Sequence, residues 1–496
     1  MDAVALLSIC LPLLLIFILR KLLNIRRHRN LPIPPGPTPW PILGNILQLA
    51  GSMPHVKFAE LSNTFGPLIS VRLGMQLVVV GSSPAVAEEI LKENDRVLSA
   101  RFVPAAMPFE IHNLRRFSIG FSPECGEGWK AHRAMCRTEL FGGKAIESSA
   151  WVREKKAIEM ADGIRSKEGM AVDVGMEVFD TVLNSISNTL MSMDLIKPRD
   201  ASQEDDSMRS LAREYIEIQG EPNISDLYPM LRRMDIQGLR KKAKRLTHKM
   251  IDAWRMIIEK RGNGEEGMKE TRTRDFLDAL IAHNYTKEAI YQIFWELFTA
   301  GTDTITVTVE WAMAELVRNP KSMKRLREEL DRYIGPCTTE ENQLPGLPYL
   351  QACVNETLRL HPPATLLLPR RAPEPCKVMD YAIPKDAQIL INVWAIGRDP
   401  KVWEDPLSFK PERFLDSSLD FKGNHFEFMP FGGGRRICPG LPMAAKQVPL
   451  LLATLVNLFD WRVPEGGNLE ELDMTEQWGI TVKKAQPLLL IPSVRK

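Results

Sequence analysis

The chain has 496 residues, 44% of them hydrophobic and 25% charged, so it can bury a large core, and its length alone suggests more than one domain. Its formal net charge of +2 gives no indication of a nucleic-acid partner. The seven cysteines are odd in number, scattered and without a C-x-x-C pair, which favours a reducing compartment over a disulfide framework.

The N-terminus is predicted to hold a retained, single-pass membrane anchor over residues 1–22. Ala3 to Leu19 is a mostly apolar run that spans roughly 26 Å as a helix, close to the thickness of an endoplasmic-reticulum bilayer. Basic residues begin at Arg20, whereas Asp2 precedes the run, and the positive-inside rule then places the remainder of the chain in the cytosol. A cleaved signal peptide is disfavoured, because it needs basic residues before the apolar run and a small-residue cleavage site after it.

Composition then separates a linker from a globular part. Residues 23–41 are basic and rich in proline, which predicts a stiff spacer that sets how the globular part sits on the membrane. Residues 42–496 are predicted to form that globular part.

The first elements predicted after the linker are two short strands, Ile69–Leu73 and Gln76–Val80, and a helix over Pro84–Glu93. The segment from Arg101 to Glu127 lacks helical periodicity and is too apolar for disorder. We therefore predict a long functional loop there.

Helices dominate the middle of the chain. The helix predicted over Trp129–Phe141 places Trp129 and Arg133 on one face. Helical patterns continue from Ala150 to Arg261, and the charged stretch Lys260–Asp275 is predicted to be a solvated loop.

A single very long helix is predicted over Thr286–Arg318. Its middle contains a glycine, Gly301, which costs about 1 kcal/mol relative to alanine and needs a reason. The reason is either a local opening of the helix or an ordinary kink beside a hydroxyl that bonds back to the backbone. Glu296 lies four residues before Ala300 on a similar face. Its carboxylate could hold an organic ammonium ion in an apolar pocket or bond the backbone of a loop.

The next motif is a pair of opposite charges on a helix. Glu356 and Arg359 stand three residues apart in the helix predicted over Pro348–His361. Such pairs are weak when they are exposed.

The most informative stretch runs from Phe431 to Gly440 and holds a lone cysteine, Cys438, in a glycine-rich loop before an apolar helix. A thiolate next to a helix N-terminus is stabilised by unpaired N–H groups. The glycines let the backbone approach something flat, and Arg436 supplies a fixed cation. These features describe a thiolate ligand beneath a haem. A structural cysteine is the alternative, whereas phosphate-loop and dinucleotide-loop templates do not fit.

Five stretches together resemble the cytochrome P450 superfamily and occur in its order and spacing. They are P-P-G-P in the linker, W-x-x-x-R, A-G-x-D-T, E-x-x-R with P-E-R-F, and the cysteine loop. The resemblance covers essentially the whole chain. It implies a mainly α fold with a small β-rich lobe, the cytochrome P450 haem-thiolate fold, with residues 42–496 as the catalytic domain.

The resemblance also implies a role for each candidate residue. Cys438 would ligate the iron of haem b, and Asp303 and Thr304 would deliver protons to dioxygen. The remaining haem contacts would come from Phe431, Gly440, Trp129, Arg133, Arg370 and Arg436. A scaffold below the haem would be formed by Glu356, Arg359 and Arg413. The expected substrate contacts are Phe109, Glu296, Phe298, Ala300, Gly301, Leu366 and Ile480.

Several longer strings narrow the resemblance to one branch. Asn94–Arg101, Cys136–Phe141, Glu147–Lys156 and Leu366–Cys376 are similar to plant microsomal alkaloid-oxidising enzymes, namely methylcoclaurine 3′-hydroxylases, phenol-coupling enzymes and littorine mutase. Geraniol-hydroxylase-type enzymes are related more distantly. The branch implies hydroxylation, coupling or oxidative rearrangement of a benzylisoquinoline or tropane alkaloid, with a terpenoid such as a monoterpenol as the alternative substrate.

Electrons would come from NADPH through a membrane-bound cytochrome P450 reductase, because the chain has no flavin or nicotinamide fingerprint. Cytochrome b5 is a further candidate partner. Lys130, Arg137, Arg435 and Lys446 could form a basic docking face, with plain solvated charge as the alternative.

Two other classes of haem protein are alternatives to a monooxygenase. A reductase-independent haem-thiolate isomerase tends to lose the Thr and Asp that this chain keeps at positions 304 and 303. A haem sensor would not need so long and apolar a pocket loop.

Overall fold

The computed structural model of the protein describes residues 31–107, 116–196, 208–262, 274–464 and 472–495. The predicted anchor lies outside these residues. So do the middle of the predicted pocket loop, which includes Phe109, and most of the predicted solvated loop before Asp275.

The described chain is mainly α-helical, as predicted. The α-helices are α1 (Ile46–Leu49), α2 (Pro54–Phe65), α3 (Pro84–Glu88), α4 (Asp95–Leu98), α5 (Glu127–Glu139), α6 (Gly143–Ser148), α7 (Ala150–Arg165), α8 (Val174–Met191), α9 (Met208–Gly220), α10 (Ile224–Leu227), α11 (Leu239–Gly262), α12 (Phe276–Ala282), α13 (Lys287–Arg318), α14 (Pro320–Tyr333), α15 (Pro348–Leu360), α16 (Val393–Ile396) and α17 (Leu441–Leu458). A π-helical turn, Glu89–Glu93, extends α3, and 3-10 turns cover Pro229–Leu231, Leu344–Gly346, Pro411–Phe414 and Gly434–Arg436.

The strands form small sheets beside the helices. They are β1 (Leu68–Leu73), β2 (Gln76–Gly81), β3 (Val172–Asp173), β4 (Arg370–Arg371), β5 (Cys376–Val378), β6 (Tyr381–Ile383), β7 (Gln388–Ile391), β8 (Phe459–Arg462), β9 (Glu476–Gln477), β10 (Lys483–Lys484) and β11 (Leu489–Val494). The largest sheet has the order β1-β2-β7-β4, in which β2 and β7 are parallel and the other neighbours antiparallel. The two predicted strands are therefore confirmed as β1 and β2, which pair antiparallel.

Helix α13 is the centre of the helical core, and the predicted helix from Thr286 to Arg318 is confirmed. The hydroxyl of Thr286 caps it by accepting the N–H of Ala289 at 3.3 Å. Apart from its ends and the stretch Leu297–Thr304, the helix is buried on all sides. A helix buried all round belongs in a core, and α13 packs against α8, α9, α11, α14, α15 and α17.

Gly301 allows α13 to lie close to α8. A Cβ at this position would lie 2.8 Å from Cδ1 of Ile186, so a larger residue would require the Ile186 side chain to move. The helix is continuous through Gly301. Close packing is therefore the reason that this structure gives for a glycine in the middle of α13.

The proline-rich segment is attached to the sheets. The carbonyl oxygens of Pro34 and Pro35 accept the hydroxyl and the N–H of Ser70 at 2.6 and 2.8 Å, and that of Pro32 accepts the N–H of Ala382 at 2.8 Å. Proline lacks a donor but keeps its acceptor, so such a segment can still bond to a sheet edge. The folded unit thus begins before residue 42, where the sequence prediction set its start.

The structure brings Glu356, Arg359 and Arg413 together. Arg359 donates to both carboxylate oxygens of Glu356 at 2.7 and 2.8 Å, and Arg413 donates to Glu356 at 3.0 Å. The side chains of Glu356 and Arg359 are fully buried. A buried ion pair is tolerated when its other donors are also satisfied, and Arg359 donates further to the carbonyls of Pro406 and Ser408.

Within the part of the chain that the structure describes, α17 is the one helix long and apolar enough to cross a membrane, and 67% of it is buried inside the protein. Its position directly after the cysteine loop and its contacts with α13, α14 and α15 make it a core helix.

Glu310 is a buried acid that joins α13 to two neighbouring elements. Its carboxylate accepts the N–H of Leu488 at 3.0 Å. The same carboxylate lies against Gly175 of α8, where an added Cβ would be only 3.0 Å from it. Burial raises the pKa of Glu310 to about 7, although the Leu488 N–H and Lys484 oppose the shift.

We expect Glu310→Gln to stabilise the protein at about pH 8.5 and to have little effect near pH 5. The folded state holds the Glu310 proton more tightly than the unfolded chain, in which this pKa is 4.5. The native state therefore loses stability as the pH rises from 4.5 through about 7. The neutral amide keeps an acceptor for Leu488 and removes this penalty, which is about 3 kcal/mol at the higher pH. Denaturant unfolding at both pH values measures the difference. An equal gain at both, or the same change in the exposed control Glu404→Gln, would contradict the prediction.

Candidate active site

Cys438 lies at the end of the glycine-rich loop, three residues before α17 begins. Its N–H donates to the carbonyl of Phe431 at 3.0 Å and so closes the loop. Burial raises the pKa of the Cys438 thiol, while the N–H of Gly440, the Arg133 guanidinium and the N–H of Leu441 act in the opposite direction. These donors are aimed at the sulfur and favour its thiolate form, which is the form that ligates metals.

The glycines of the loop are required by its backbone. Gly432 and Gly434 have φ values of 70° and 65°, in the left-handed region that glycine adopts without cost. A Cβ on Gly434 would also lie 2.1 Å from the carbonyl oxygen of Leu91. Only a glycine at position 434 therefore lets the loop pack directly against the backbone of the π-helical turn Glu89–Glu93.

Four arginines lie close to one another beside this loop. Arg101, Arg370 and Arg436 are almost completely buried, and Arg133 is partly buried. Burial, followed by the charges of Arg370 and Arg436, lowers the pKa of Arg101 well below its usual value. Burial lowers the pKa of Arg370 to about 10, although Asp95, 3.6 Å away, opposes this. The four cations are therefore close enough to repel one another.

Backbone carbonyls take most of the hydrogen bonds from these guanidinium groups. Arg101 donates to the carbonyls of Gly120 at 2.9 Å and Leu368 at 2.7 Å. Arg370 donates to those of Leu98 at 3.1 Å and Gly433 at 3.2 Å. Arg436 donates to those of Ser99 at 2.9 Å and Ser122 at 2.6 Å, and Arg133 to that of Ile437. The carbonyls orient the guanidinium groups but carry no full charge that would neutralise them.

The segment Ser118–Ser122 connects the arginines to α13, and we call it the connector. The carbonyl of Ile119 accepts the indole N–H of Trp129 at 2.8 Å and the guanidinium of Arg436 at 3.3 Å. The N–H of the same residue donates to Glu296 at 2.7 Å. A single residue of the connector thus joins the cysteine loop, α5 and α13.

Glu296 is the acid that holds the connector. Its carboxylate accepts the hydroxyl of Ser118, the N–H groups of Ile119 and Gly120 at 2.7 and 3.2 Å, and the amide of Gln292 at 2.9 Å. Burial raises the pKa of Glu296, and these four donors oppose the shift. Of the two alternatives left open by the sequence, the structure shows the contact with a loop backbone.

The arrangement fits the haem that the resemblance implies. Among the described residues, the carboxylates of Asp95 and Glu296 interact with these arginines, and Asp95 is shared with Arg435 at 3.1 Å. The described acids therefore do not balance the four cations. Burying unpaired charge is costly, and the two propionates of a haem would balance it. The donors aimed at the Cys438 sulfur suit an axial thiolate.

Helix α13 is accessible to solvent over one short stretch, and we call the space in front of this open face the cleft. Ala300 is exposed in the middle of the helix, and Leu297 and Thr304, which lie three residues before and four residues after it, are half-buried. The Thr304 hydroxyl donates to the carbonyl of Ala300 at 2.8 Å. The neighbouring Asp303 points to another side and accepts a hydrogen bond from Thr481. The two predicted proton-transfer residues therefore belong to adjacent faces.

Three predicted substrate contacts lie away from this open face. Phe298 is fully buried and its ring stacks on Trp254 at a centroid distance of 5.1 Å, because a residue two positions after Glu296 faces the opposite side of a helix. Leu366 is buried in the apolar cluster over the β1-β2-β7 sheet. The side-chain direction of Gly301 is towards Ile186.

The remaining predicted substrate contact, Ile480, is half-buried in the loop between β9 and β10. The backbone around it packs against Gly220 at the end of α9. Phe431 is half-buried and packs against Phe421.

Sequence reasoning missed Arg101, Asp95 and Thr481. Arg101 and Asp95 lie inside the string Asn94–Arg101 that supported the family resemblance, so a signal for them was present. Thr481 contacts a residue 178 positions away, and no local pattern in the sequence indicates such a contact.

Comparison with known proteins agrees with the family resemblance seen in the sequence. A family model described as Cytochrome P450 matches residues 34–491. The chain is 45% identical to a Coptis japonica protein named "Probable (S)-N-methylcoclaurine 3'-hydroxylase isozyme 2", over 99% of this chain and 98% of that protein. It is 43% identical to "(S)-N-methylcoclaurine 3'-hydroxylase isozyme 1" of Eschscholzia californica, over 94% and 95%. It is 40% identical to "Corytuberine synthase" of Coptis japonica, over 100% of both.

We expect Glu296→Gln to destabilise the protein by about 1–3 kcal/mol, because the amide offers one acceptor oxygen where the carboxylate offers two for the same four donors. Thermal unfolding of the variant beside the exposed control Glu404→Gln measures this. If Glu296 instead pairs with a substrate ammonium, the variant would unfold like the wild type and bind an amine substrate more weakly.

Proposed function

The chain belongs to the cytochrome P450 family, and we propose that its substrate is a plant alkaloid of the benzylisoquinoline type, with tropane alkaloids as the next class. Membership makes it a haem-thiolate monooxygenase that receives electrons from a reductase and acts on a small molecule.

One observation carries the substrate proposal. The relatives that match this chain over nearly its whole length include enzymes whose names state the benzylisoquinoline (S)-N-methylcoclaurine as substrate, at 43–45% identity. Corytuberine synthase, at 40%, is similar over the full length of both chains. The matches cover 94% or more of this chain for the hydroxylases and the synthase, which supports a substrate of the same class.

The residues of the site suggest how the haem is held. We infer that Cys438 provides the axial thiolate, supported by the N–H groups of Gly440 and Leu441. Arg101, Arg133, Arg370 and Arg436, with the indole of Trp129 behind them, would hold the propionates. When bound, the haem supplies the activation of molecular oxygen for insertion into a substrate C–H bond or for coupling of phenols.

The chain itself positions the substrate and moves protons. Leu297 and Ala300 give the cleft an apolar wall on α13, which suits the ring systems of an alkaloid. The Thr304 hydroxyl lies on the same open face and can pass a proton into the cleft, while Asp303 behind it is the acid that replenishes this proton. The connector and Glu296 keep the loop side of the cleft in place.

We expect the full-length chain, co-expressed with a plant reductase, to convert (S)-N-methylcoclaurine or a related benzylisoquinoline in an NADPH-dependent reaction. The panel would also contain the tropane ester littorine and the monoterpenol geraniol, with products identified by mass spectrometry. Exclusive turnover of geraniol would replace the alkaloid proposal by the terpenoid alternative. Absence of NADPH consumption with every compound would favour a sensor.

Cys438→Ser is the control for the assignment of the haem ligand. The variant should lose the thiolate signature of the reduced carbon-monoxide complex together with all turnover. Retention of that signature would contradict Cys438 as the ligand.

We further propose that the protein is held at the endoplasmic-reticulum membrane with its catalytic domain in the cytosol, through the predicted anchor and a second apolar surface. Within the described residues, Trp40, Ile42, Leu47, Met230 and Met234 are all more than half exposed. The two segments that carry them touch, since the Tyr228 hydroxyl donates to the carbonyl of Ile42 at 3.3 Å. Exposed apolar patches of this kind mark membrane or protein contacts.

The electron donors belong to the same proposal. Lys130, Arg137 and Arg435 are exposed and Lys446 is half-exposed, which supports a basic docking face for the reductase and, as a second donor, cytochrome b5.

We expect lipids with brominated acyl chains to quench the fluorescence of Trp40 when the full-length protein is reconstituted in nanodiscs, because the ring is 59% exposed on the apolar surface. The quenchable fraction should fall in Trp40→Phe and remain unchanged in Trp151→Phe, which removes a ring 51% exposed on α7. Equal loss in both variants, or none in Trp40→Phe, would contradict contact between this surface and the membrane.

A further inference from the structure

Asp303 is held by a residue from the far end of the chain. The hydroxyl of Thr481 donates to Oδ2 of Asp303. Thr481 is buried and lies in the loop between β9 and β10, which packs against α13. A hydrogen bond to one oxygen of a carboxylate fixes the plane of the group and leaves the other oxygen free to take up a proton.

The loop that carries Thr481 is itself fixed on both sides. The N–H of Val482 donates to the carbonyl of Pro363 at 2.9 Å. The carbonyl of Val482 accepts the indole N–H of Trp311 at 3.3 Å. Pro363 follows α15 and Trp311 belongs to α13. The position of the Thr481 hydroxyl is therefore set by backbone contacts that do not involve Asp303.

Charged side chains face Asp303 from the elements packed around it. They are Lys483 on β10 and Arg213 and Glu217 on α9. Lys483 and Glu217 form an ion pair of 3.9 Å, with side chains 33% and 58% exposed. Asp303 thus lies between the open face of α13 and an ion pair in contact with water.

We propose that Thr481 is a positioning residue for the oxidation reaction, which holds the Asp303 carboxylate so that Oδ1 takes up protons from the Lys483–Glu217 side and releases them on the Thr304 side. The proton enters from water and leaves towards the cleft, so that the carboxylate is regenerated and no other reactant is consumed. The inference rests on the acid role proposed for Asp303 and is independent of the identity of the substrate.

The energetics agree with this role. Burial raises the pKa of Asp303, and the Thr481 hydroxyl is the main opposing influence, followed by Lys483 and Arg213. A hydrogen bond to the charged form favours that form. Thr481 thus keeps the buried acid able to release its proton, which a carboxyl group in a wholly apolar site would not do.

The test compares Thr481→Val, which removes the hydroxyl at nearly constant volume, with Thr481→Ser, which keeps it. Infrared difference spectra over a pH series follow the C=O stretch of protonated Asp303, assigned by its loss in Asp303→Asn. We expect the titration midpoint to rise by about 0.5–1 pH unit in Thr481→Val and to return towards the wild-type value in Thr481→Ser.

Thr189→Val is the matched control. It makes the same change at a half-buried threonine on α8 whose hydroxyl bonds only to the carbonyl of Ser185 in its own helix. The control should leave the infrared titration unchanged. An unchanged midpoint in Thr481→Val, or an equal shift in Thr189→Val, would overturn the proposal whether or not a substrate has been identified.

A second measurement follows the electrons, with the compound that the substrate panel identifies. The fraction of NADPH electrons recovered in product should fall several-fold in Thr481→Val, with a matching rise in hydrogen peroxide, and recover in Thr481→Ser. A proportional loss of product and NADPH consumption, without extra peroxide, would show that Thr481 acts only on structure and would also overturn the proposal.

Discussion

The confinement of four guanidinium groups to one buried place is the constraint on which the rest of this site depends. Burial lowers the pKa of Arg101 and of Arg436, and the charges of the neighbouring arginines add to both shifts. Carbonyls of the connector and of the cysteine loop orient the cations but cannot neutralise them. Other contacts must therefore keep the cations in place. Glu296 on α13 contributes by accepting hydrogen bonds from the connector. The cysteine loop, α5 and α13 are in this way parts of a single charged assembly.

Helix α13 serves this assembly by giving each of its faces a separate task. Glu296 faces the connector, Ala300 and Thr304 face the cleft, and Asp303 faces the hairpin of β9 and β10. Glu310, two turns further, holds the segment before β11. Buried acids on one helix can coexist because each has its own donors and none shares them with the next. The absence of a side chain at Gly301 allows the same helix to press against α8.

The parts of this arrangement that depend on short spacings could be predicted from the sequence. Glu356 with Arg359, and Cys438 before the N-terminus of α17, are set by helix geometry over three or four residues, and the cap at Thr286 is equally local. Contacts such as that of Arg101 with the carbonyl of Leu368 join positions 267 apart and leave no such pattern. Phe298 shows the limit within a helix. A residue one or two positions away from the open face already points to the core, and an apolar side chain suits both sides.

The contact between Gly220 and Gly479 has a mechanical consequence. A Cβ on Gly220 would lie 2.6 Å from the Cα of Gly479, so the end of α9 rests directly on the backbone of the hairpin, with no side chain to absorb movement between them. Any bulky guest that displaces α9 will therefore also move the hairpin. A substrate that fits poorly would shift the hairpin, which carries Thr481. The fit of a substrate would then affect the fraction of NADPH electrons recovered in product as well as the binding affinity.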